Sequence, residues 1–365
     1  MSLTIDTSCY LDSEGALAAD TPPIEDAILI RGYKIMALTR YVEAQLIILQ
    51  RQGTISFTLT SLGEEACIVA SAAALEPSDW IYPQYREVGA FFWRGASIQE
   101  FVNQMFGNSS DLCHGRQMPI HFGNRALNVV TASSPIGSKI PHAAGCGYAM
   151  KFLNEPSVSI CYFGEGATSS GDFHAGLNFA AVKKVPTIFF CRNNCYAIST
   201  PASQQFASEG VAPKGIGYGI EAMRVDGNDF FAVYHAVKAA RQRGLSGLGP
   251  TLIEAMTYRM GGHSTSDDPT AYRDEVELHA WQAKDPLIRL KKHLIGQGLW
   301  SDELDNNWHQ QVQREITAAV EKAKATPPPP LETIVKDVYF EMPHTLHTQF
   351  DELQELFGQN PSGAS

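Results

Sequence analysis

The sequence predicts an α/β protein: a parallel sheet covered by helices on both faces, with helical regions added before and after it. Three observations carry that expectation. The first is an alternation of short apolar runs with helical segments from about residue 128. VVTAS (129–133), SVSICYF (157–163), PTIFFCR (186–192), AMRVD (222–226) and TLIEAMTY (251–258) read as buried strands. Residues 140–153, 171–184 and 229–243 between them have helical periodicity, and strand–helix–strand repetition joins strands in parallel. The second is helical rather than strand texture on either side of that stretch. The third is size: 365 residues, 44% hydrophobic and 18% charged, supply a core that needs no staples.

Taken in order, residues 1–25 read as a polar, acidic tail closed by Thr21-Pro22-Pro23. A helix over about 25–52 follows. Its apolar positions Ile28, Ile35, Leu38, Val42, Leu46 and Leu49 recur at helical spacing, and Gly53 is placed to stop it. Residues 62–75 and 97–107 predict two more helices within a helical N-terminal region, 26–127, and WIYPQYREVGAFFWRG between them is dense in aromatics. The α/β core spans 128–273. Residues 274–365 return to helix until Pro327 to Pro330 break the pattern before a polar C-terminal tail.

Twenty-eight Lys and Arg against 39 Asp and Glu leave a net charge of −11, which argues against general nucleic-acid or anionic-membrane binding. A local basic pocket for a small anion is compatible with it. Seven scattered cysteines, an odd number, match a reducing compartment. Cys191 and Cys195 lack the second pair of a zinc site. No uncharged apolar run approaches the ~18–20 residues of a membrane span. The opening MSLTIDTSCYLDSEG lacks Arg and matches neither a secretory signal nor a basic transit peptide. The expected location is cytoplasmic, or the mitochondrial matrix where a presequence has been removed.

In such sheets ligands bind beyond the carboxyl ends of the strands, which directs attention to the residues after Phe163, Arg192, Asp226 and Tyr258. Gly164-Glu165-Gly166-Ala167-Thr168 follows one strand, and Arg192-Asn193-Asn194-Cys195-Tyr196 ends the next. Twenty-six residues separate Gly166 from Asn193, room for one crossover helix, so a carboxylate and an amide meet in one crevice. A carboxylate, an amide oxygen and a backbone carbonyl are hard donors of the kind Mg²⁺ takes when it also binds a diphosphate. Glycine lets N–H groups approach phosphate oxygens, and Arg192 adds a planar cation. Competing motifs fail: Gly166-x4-Gly171 is followed by Asp172 rather than the Lys of a Walker loop, and Ser169 stands where a dinucleotide fingerprint needs its third Gly. His114 and His121, seven apart with Pro119 between, make no metal pair.

FGEGATSSGDFHAGLNFAA and PTIFFCRNNCYAIST resemble the thiamine-diphosphate motif of the 2-oxo-acid dehydrogenase complexes. YGIEAMRVDGNDFFAVYHAVKAAR and LIEAMTYRMGGHSTSDDPTAYR extend the resemblance over about residues 25–345, most closely to alpha subunits of the branched-chain group. It implies the thiamine-diphosphate-binding fold, thiamine diphosphate and Mg²⁺ as cofactors, and oxidative decarboxylation of branched-chain 2-oxo acids with reductive acylation of lipoyl groups. It further implies that Glu165, Asn194 and the Tyr196 carbonyl hold Mg²⁺. Gly166, Ala167, Arg192, Tyr85, Arg86 and His263 would contact the cofactor, mostly around its diphosphate, and Ser134 and Ile136 would lie near its rings. His263 would assist proton or acyl transfer, with Ser264 beside it in the catalytic loop. Ser264 matches a serine phosphorylated in mitochondrial relatives, whereas their second phosphosite is Asp274 here, and Cys195 stands where the family usually has Gly. By the same resemblance the glutamate that activates the cofactor comes from a beta subunit. An alpha2-beta2 heterotetramer serving a lipoyl-bearing acyltransferase core is therefore expected.

The segment Gly115-Arg116-Gln117-Met118-Pro119-Ile120-His121 looks like the branched-chain version of its family segment. Phe57, Tyr85, Met118 and His121 are candidates for an apolar substrate pocket. One methylene discriminates by only ~1–3 kcal/mol, so overlap between substrates is expected. A pyruvate or acetoin dehydrogenase alpha subunit is the alternative within the enzyme class, and a non-catalytic scaffold of such a complex the alternative outside it. Relatives hold a K⁺ beneath the cofactor loop with Ser, a Pro carbonyl, Thr and Gln. The matching residues are Ser133, Pro135, Ser138 and Lys139, so an ammonium is expected to stand in for the ion and to order Ser134 and Ile136.

Overall fold

The computed structural model describes residues 4–336 and 338–359. Residues 1–3, 337 and 360–365, parts of the expected tail and C-terminal region, lie outside the described residues. The strands are β1 (Thr7–Ser8), β2 (Trp80–Tyr82), β3 (Ser159–Gly164), β4 (Thr187–Asn193), β5 (Tyr196–Ala197), β6 (Thr200–Pro201), β7 (Glu221–Asp226) and β8 (Thr251–Met256). Six of them form one sheet in the order β1-β7-β8-β4-β3-β2, every neighbouring pair parallel. β5 and β6 pair separately as a short antiparallel hairpin.

Helices cover both faces because the strands are apolar on both. Ile160 and Tyr162 of β3, Ile188 and Phe190 of β4 and Ile253 of β8 face a core shared with α1 (Asp26–Arg51), α2 (Glu65–Ala73) and, later in the chain, Phe230–Leu245. The alternate residues Cys161, Phe163, Phe189, Cys191 and Leu252 face a second core built with Lys139–Leu153 and Gly171–Lys183. Around these lie α3 (Val88–Trp93), α4 (Ile98–Phe106), α5 (Lys139–Leu153), α6 (Gly171–Lys183), α7 (Ala202–Gln205), α8 (Ala212–Gly217) and α9 (Phe230–Leu245). The C-terminal region supplies α10 (Glu275–Gln282), α11 (Pro286–Gly296), α12 (Asp302–Ala325) and α13 (His344–Gln359).

Several elements differ from the reading of the sequence. The expected strand over 129–133 is reduced to single bridges from Val129 to Ile81 and Asn124. Its neighbour β2 is only three residues long, and Pro135 interrupts the chain soon after. The aromatic stretch resolves into β2 and α3; all six residues of α3 are buried, so no amphipathic period marks it. Residues 4–25 are anchored rather than loose. β1 extends the sheet beside β7, and the Asp229 carboxylate accepts the N–H groups of Tyr10 at 2.5 Å and Leu11 at 2.8 Å. α13 occupies part of the expected C-terminal tail.

Candidate functional site

β3 and β4 run in register, Gly164 beside Arg192, so the turn after one and the end of the other open at the same rim. β8 flanks β4 on the other side, with Asn193 beside Met256, and delivers Arg259 to that rim. A cavity of about 410 Å³ opens there. Tyr85, Arg86, Ser134, Ile136, Glu165, Gly166, Ala167, Arg192, Asn194, Tyr196 and His263 all line it, as does Phe57. The end of β7 does not reach it: Asn228 donates to the Lys284 carbonyl and Asp229 caps α9, because β7 lies beyond β8.

Glu165 is 2% exposed at the start of the turn. Its Oε2 accepts the Asn194 N–H at 3.3 Å, while Oε1 is buried without a partner. Desolvation, reinforced by Glu64, pushes its carboxyl up to about 7. A cation before Oε1 would satisfy that oxygen and hold the group ionised. Asn194 Oδ1 accepts the Tyr196 N–H at 3.3 Å, and the Tyr196 carbonyl accepts Arg259 Nη1 at 3.2 Å, each oxygen keeping a second lone pair. This mixed carboxylate, amide and carbonyl set fits a hard divalent cation. Among the described residues no group of three His, Cys, Asp or Glu side chains could hold a metal. A Cβ on Gly166 would lie 2.7 Å from the Ala197 side chain, which explains glycine in that turn.

Three guanidinium groups are buried around the cavity. Arg192 donates Nε to Glu87 at 2.7 Å and Nη1 to Glu64. Arg86 donates to the Thr60 carbonyl and, at 2.8 Å, to the His263 carbonyl. Arg259 donates Nη2 to the Ile198 carbonyl at 2.5 Å and to the Tyr272 hydroxyl at 2.8 Å, and its Nε is buried without a partner. Three fixed cations stand against the carboxylates of Glu64, Glu87 and Glu165, so the charges balance until a divalent cation joins Glu165 and leaves positive potential for an anion. His263 is pushed down to about 4, first by desolvation and then by Arg86 and Arg259. Its Nδ1 lies 3.3 Å from Arg86 Nη2. A guanidinium only donates, so Nδ1 accepts and the proton of the neutral ring sits on Nε2.

Met118, His121 and Ser264 fall outside the lining. Met118 is 54% exposed, and its carbonyl accepts from Gln104 Nε2 and from the His121 N–H. After Pro119 the chain turns through Ile120, whose φ of 66° aims the next residues differently, and buried Ile120 lines the cavity instead. His121 stands behind the wall, its Nε2 2.5 Å from Ser134 Oγ. Ser264 Oγ pairs with Ser266 Oγ at 3.0 Å. Asp274 caps α10 through the Val276 N–H. Ser133 and Ser138 hydroxyls are 3.3 Å apart, and Ser138 donates to the Pro135 carbonyl at 2.8 Å. Lys139 lines a small cavity with Ser133 and Pro135, half-buried, but among the described residues it makes no hydrogen bond to these oxygens.

Gln84, Leu59, Ile120, Ile198 and Arg259 join the lining without having been singled out, and Glu64 and Glu87 stand directly behind it. Arg259 had a signal, since it follows the strand end at Tyr258. The two glutamates had none: they lie 128 and 105 residues from Arg192 in the chain.

Residues 33–332 match the family described as Dehydrogenase E1 component. The chain is 45% identical over 358 residues to 2-oxoisovalerate dehydrogenase subunit alpha 1, mitochondrial, of Arabidopsis thaliana, covering 97% of this chain and 76% of that protein. It is 47% identical over 346 residues to 2-oxoisovalerate dehydrogenase subunit alpha, mitochondrial, of Homo sapiens, covering 94% and 78%. For the protein of that name in Caenorhabditis elegans the figures are 48% over 337 residues, 91% and 77%. A parallel α/β sheet, a cavity at the strand ends lined by Glu165, Asn194 and three arginines, and a match that spans most of the sequence lead to one conclusion: the chain belongs to the dehydrogenase E1 component family.

Proposed function

We propose that this chain is the alpha subunit of a branched-chain 2-oxo-acid dehydrogenase, active with a beta subunit. The observation that carries the reading is the unpartnered, buried Oε1 of Glu165, set beside Asn194 and Tyr196 in a cavity ringed by three arginines. Thiamine diphosphate is the cofactor that family membership implies, and when bound it supplies the electron sink for loss of CO₂ from a 2-oxo acid.

The chain's own residues then have distinct tasks. Glu165, Asn194 Oδ1 and the Tyr196 carbonyl hold Mg²⁺, while the Gly166 and Ala167 turn and Arg192 face the diphosphate. Tyr85, Arg86, Ser134 and Ile136 complete the cofactor's surroundings. His263, neutral with its proton on Nε2, offers a hydrogen-bond donor or a proton at that atom. Phe57, Tyr85, Leu59 and Ile120 form the apolar surface for a branched side chain, and Ser134 is oriented by His121. Lys139 lines the same small cavity as Ser133 and Pro135 and would stand in for K⁺ by turning its ammonium toward them, so turnover should not distinguish K⁺ from Na⁺, and Lys139→Gln should introduce that distinction.

Ile136 and Ile198 are 44% and 56% exposed where they line the cavity, apolar surface that a beta subunit would cover. An alpha2-beta2 assembly feeding a lipoyl-bearing core follows from this reading. The curated relatives are named as mitochondrial, and no helix among the described residues is long and apolar enough to cross a membrane. Seven free cysteines are compatible with a reducing compartment, a bacterial cytoplasm or the matrix. The deciding experiment is co-expression with the beta subunit, followed by thiamine-diphosphate- and Mg²⁺-dependent decarboxylation of 3-methyl-2-oxobutanoate and pyruvate. Preference for the branched acid is expected. Preference for pyruvate would move the chain to the pyruvate class, and an assembled but inactive complex would make it a scaffold.

A further inference from the structure

The proposed metal site uses the side-chain oxygen of Asn194, but a primary amide presents either its oxygen or its NH₂ from nearly the same shape. Some neighbour has to choose. Glu64, just before α2, is 0% exposed, and its Oε1 lies 3.0 Å from Asn194 Nδ2. A carboxylate only accepts, so the NH₂ must be on that side. Oδ1 is thereby turned away, toward the Tyr196 N–H. The other oxygen of Glu64 receives Arg192 Nη1, and Arg192 is itself held at Nε by Glu87. Arg86 Nε approaches Glu64 Oε1 to 4.0 Å. A single buried carboxylate thus touches or approaches three of the polar residues that line the cavity.

We infer that Glu64 is a positioning residue: its carboxylate fixes the flip of the Asn194 amide and makes that side chain an oxygen ligand instead of an N–H donor. The inference rests on the metal reading given above. Its chemistry makes a specific demand on Glu64→Gln. The new amide has one accepting oxygen, and Arg192, which only donates, takes it. The new NH₂ then faces Asn194, which must flip to present its own oxygen and so turns its NH₂ into the metal site. Replacing Asn194 by Asp in that background repairs the arrangement, with one oxygen accepting from the new NH₂ and the other facing the cation. In the presence of Glu64 the same Asp sets two carboxylates against each other.

The test is Mn²⁺ binding to the assembled alpha–beta enzyme with thiamine diphosphate, read from the paramagnetic signal of free Mn²⁺, with thermal unfolding recorded alongside. Glu64→Gln should weaken Mn²⁺ on the order of tenfold, as loss of a partner that orients a ligand does, with its melting transition kept. Asn194→Asp should weaken it as well, and Glu64→Gln combined with Asn194→Asp should recover most of the affinity of the unaltered enzyme. Full affinity in Glu64→Gln, or a double variant no better than either single one, overturns the inference. Should Glu64→Gln fail to assemble, Asn194→Asp alone decides: affinity at or above that of the unaltered enzyme overturns the role of Glu64, since an added anionic ligand would then meet no opposition. Glu165→Ala separates the two layers, because undiminished Mn²⁺ binding there removes the metal reading itself.

Discussion

Two segments line the cavity together and are held by different means. The ledge made of Gly164–Ala167 and Arg192–Asn194 grows out of β3 and β4, whose ladder bonds tie it to the middle of the sheet. The segment 261–273, which carries His263, has no regular structure beyond a short turn at Pro269–Ala271. It is held chiefly by polar contacts: Asp267 Oδ2 accepts the His263 N–H and the Tyr272 hydroxyl, each at 2.6 Å, and Tyr272 accepts from Arg259. Arg273 adds donors to the carbonyls of Arg259 and Met260. The ledge is therefore as rigid as the fold, whereas the loop rests on a few bonds worth about 1–3 kcal/mol each. Damage to the ledge should abolish binding, and damage to the loop should reduce turnover first.

The largest effect is expected at the ledge. Glu165→Ala removes the anionic ligand proposed for Mg²⁺ and should lower thiamine-diphosphate affinity by more than the ~10–100-fold that loss of an outer partner costs. Titration calorimetry on the assembled enzyme, with circular dichroism to establish that the fold is kept, measures it. Next comes the loop. Asp267→Asn loses one charged acceptor shared by His263 and Tyr272, and kcat should fall on the order of tenfold while cofactor affinity changes little, because only positioning is lost. Equal losses in both quantities would erase the distinction between the segments.

The cavity wall itself should give a smaller change. Ile120→Ala enlarges the cavity and should shift the kcat/KM ratio between a bulkier and a smaller 2-oxo acid by ~1–3 kcal/mol in favour of the bulkier one. The pH dependence has a definite sign. His263 has a native value of about 4 against 6.5 for the free side chain, so the unfolded chain binds the extra proton. Its contribution to stability is complete above pH 6.5 and is lost as pH falls toward 4. Denaturant melts of the unaltered chain and His263→Gln should differ by a constant amount above pH 6.5, and the difference should move against the unaltered chain as pH falls through that window. The smallest effect is expected at Cys195, held at φ 74° with its Sγ 3.6 Å from the Thr257 carbonyl. Left-handed backbone costs a side chain ~1–2 kcal/mol, part of which the greater freedom of unfolded glycine offsets. Cys195→Gly should therefore raise stability by about 1 kcal/mol, readable in a thermal melt.

How much of this was legible in the sequence varies with distance along the chain. The buried strands β3, β4, β7 and β8 and the helices α5, α6 and α9 are announced by local periodicity, whereas the short helices α7 and α8 are not; the Glu165 and Asn194 turns are announced by their place after two apolar runs. Met118 misled for a physical reason: an apolar residue in a turn-rich segment carries no period to tell which way it points. In the structure Ile120, at positive φ, takes the wall. α3 hid because a helix buried on every side has no polar stripe.

By itself the sequence determined the parallel α/β core, the rim at which the ligand site lies, and the residue types that meet there, since all of these follow from apolar periodicity and strand-end spacing. Only the tertiary structure decided which groups orient that chemistry. Glu64 and Glu87 reach Arg192 from distant segments, Arg259 ties the Tyr196 and Ile198 carbonyls to Tyr272, and the His263 tautomer follows from Arg86. Hydrogen-bond direction and burial depend on groups brought within about 3 Å by the packing of remote elements, and no local pattern in a chain encodes that proximity.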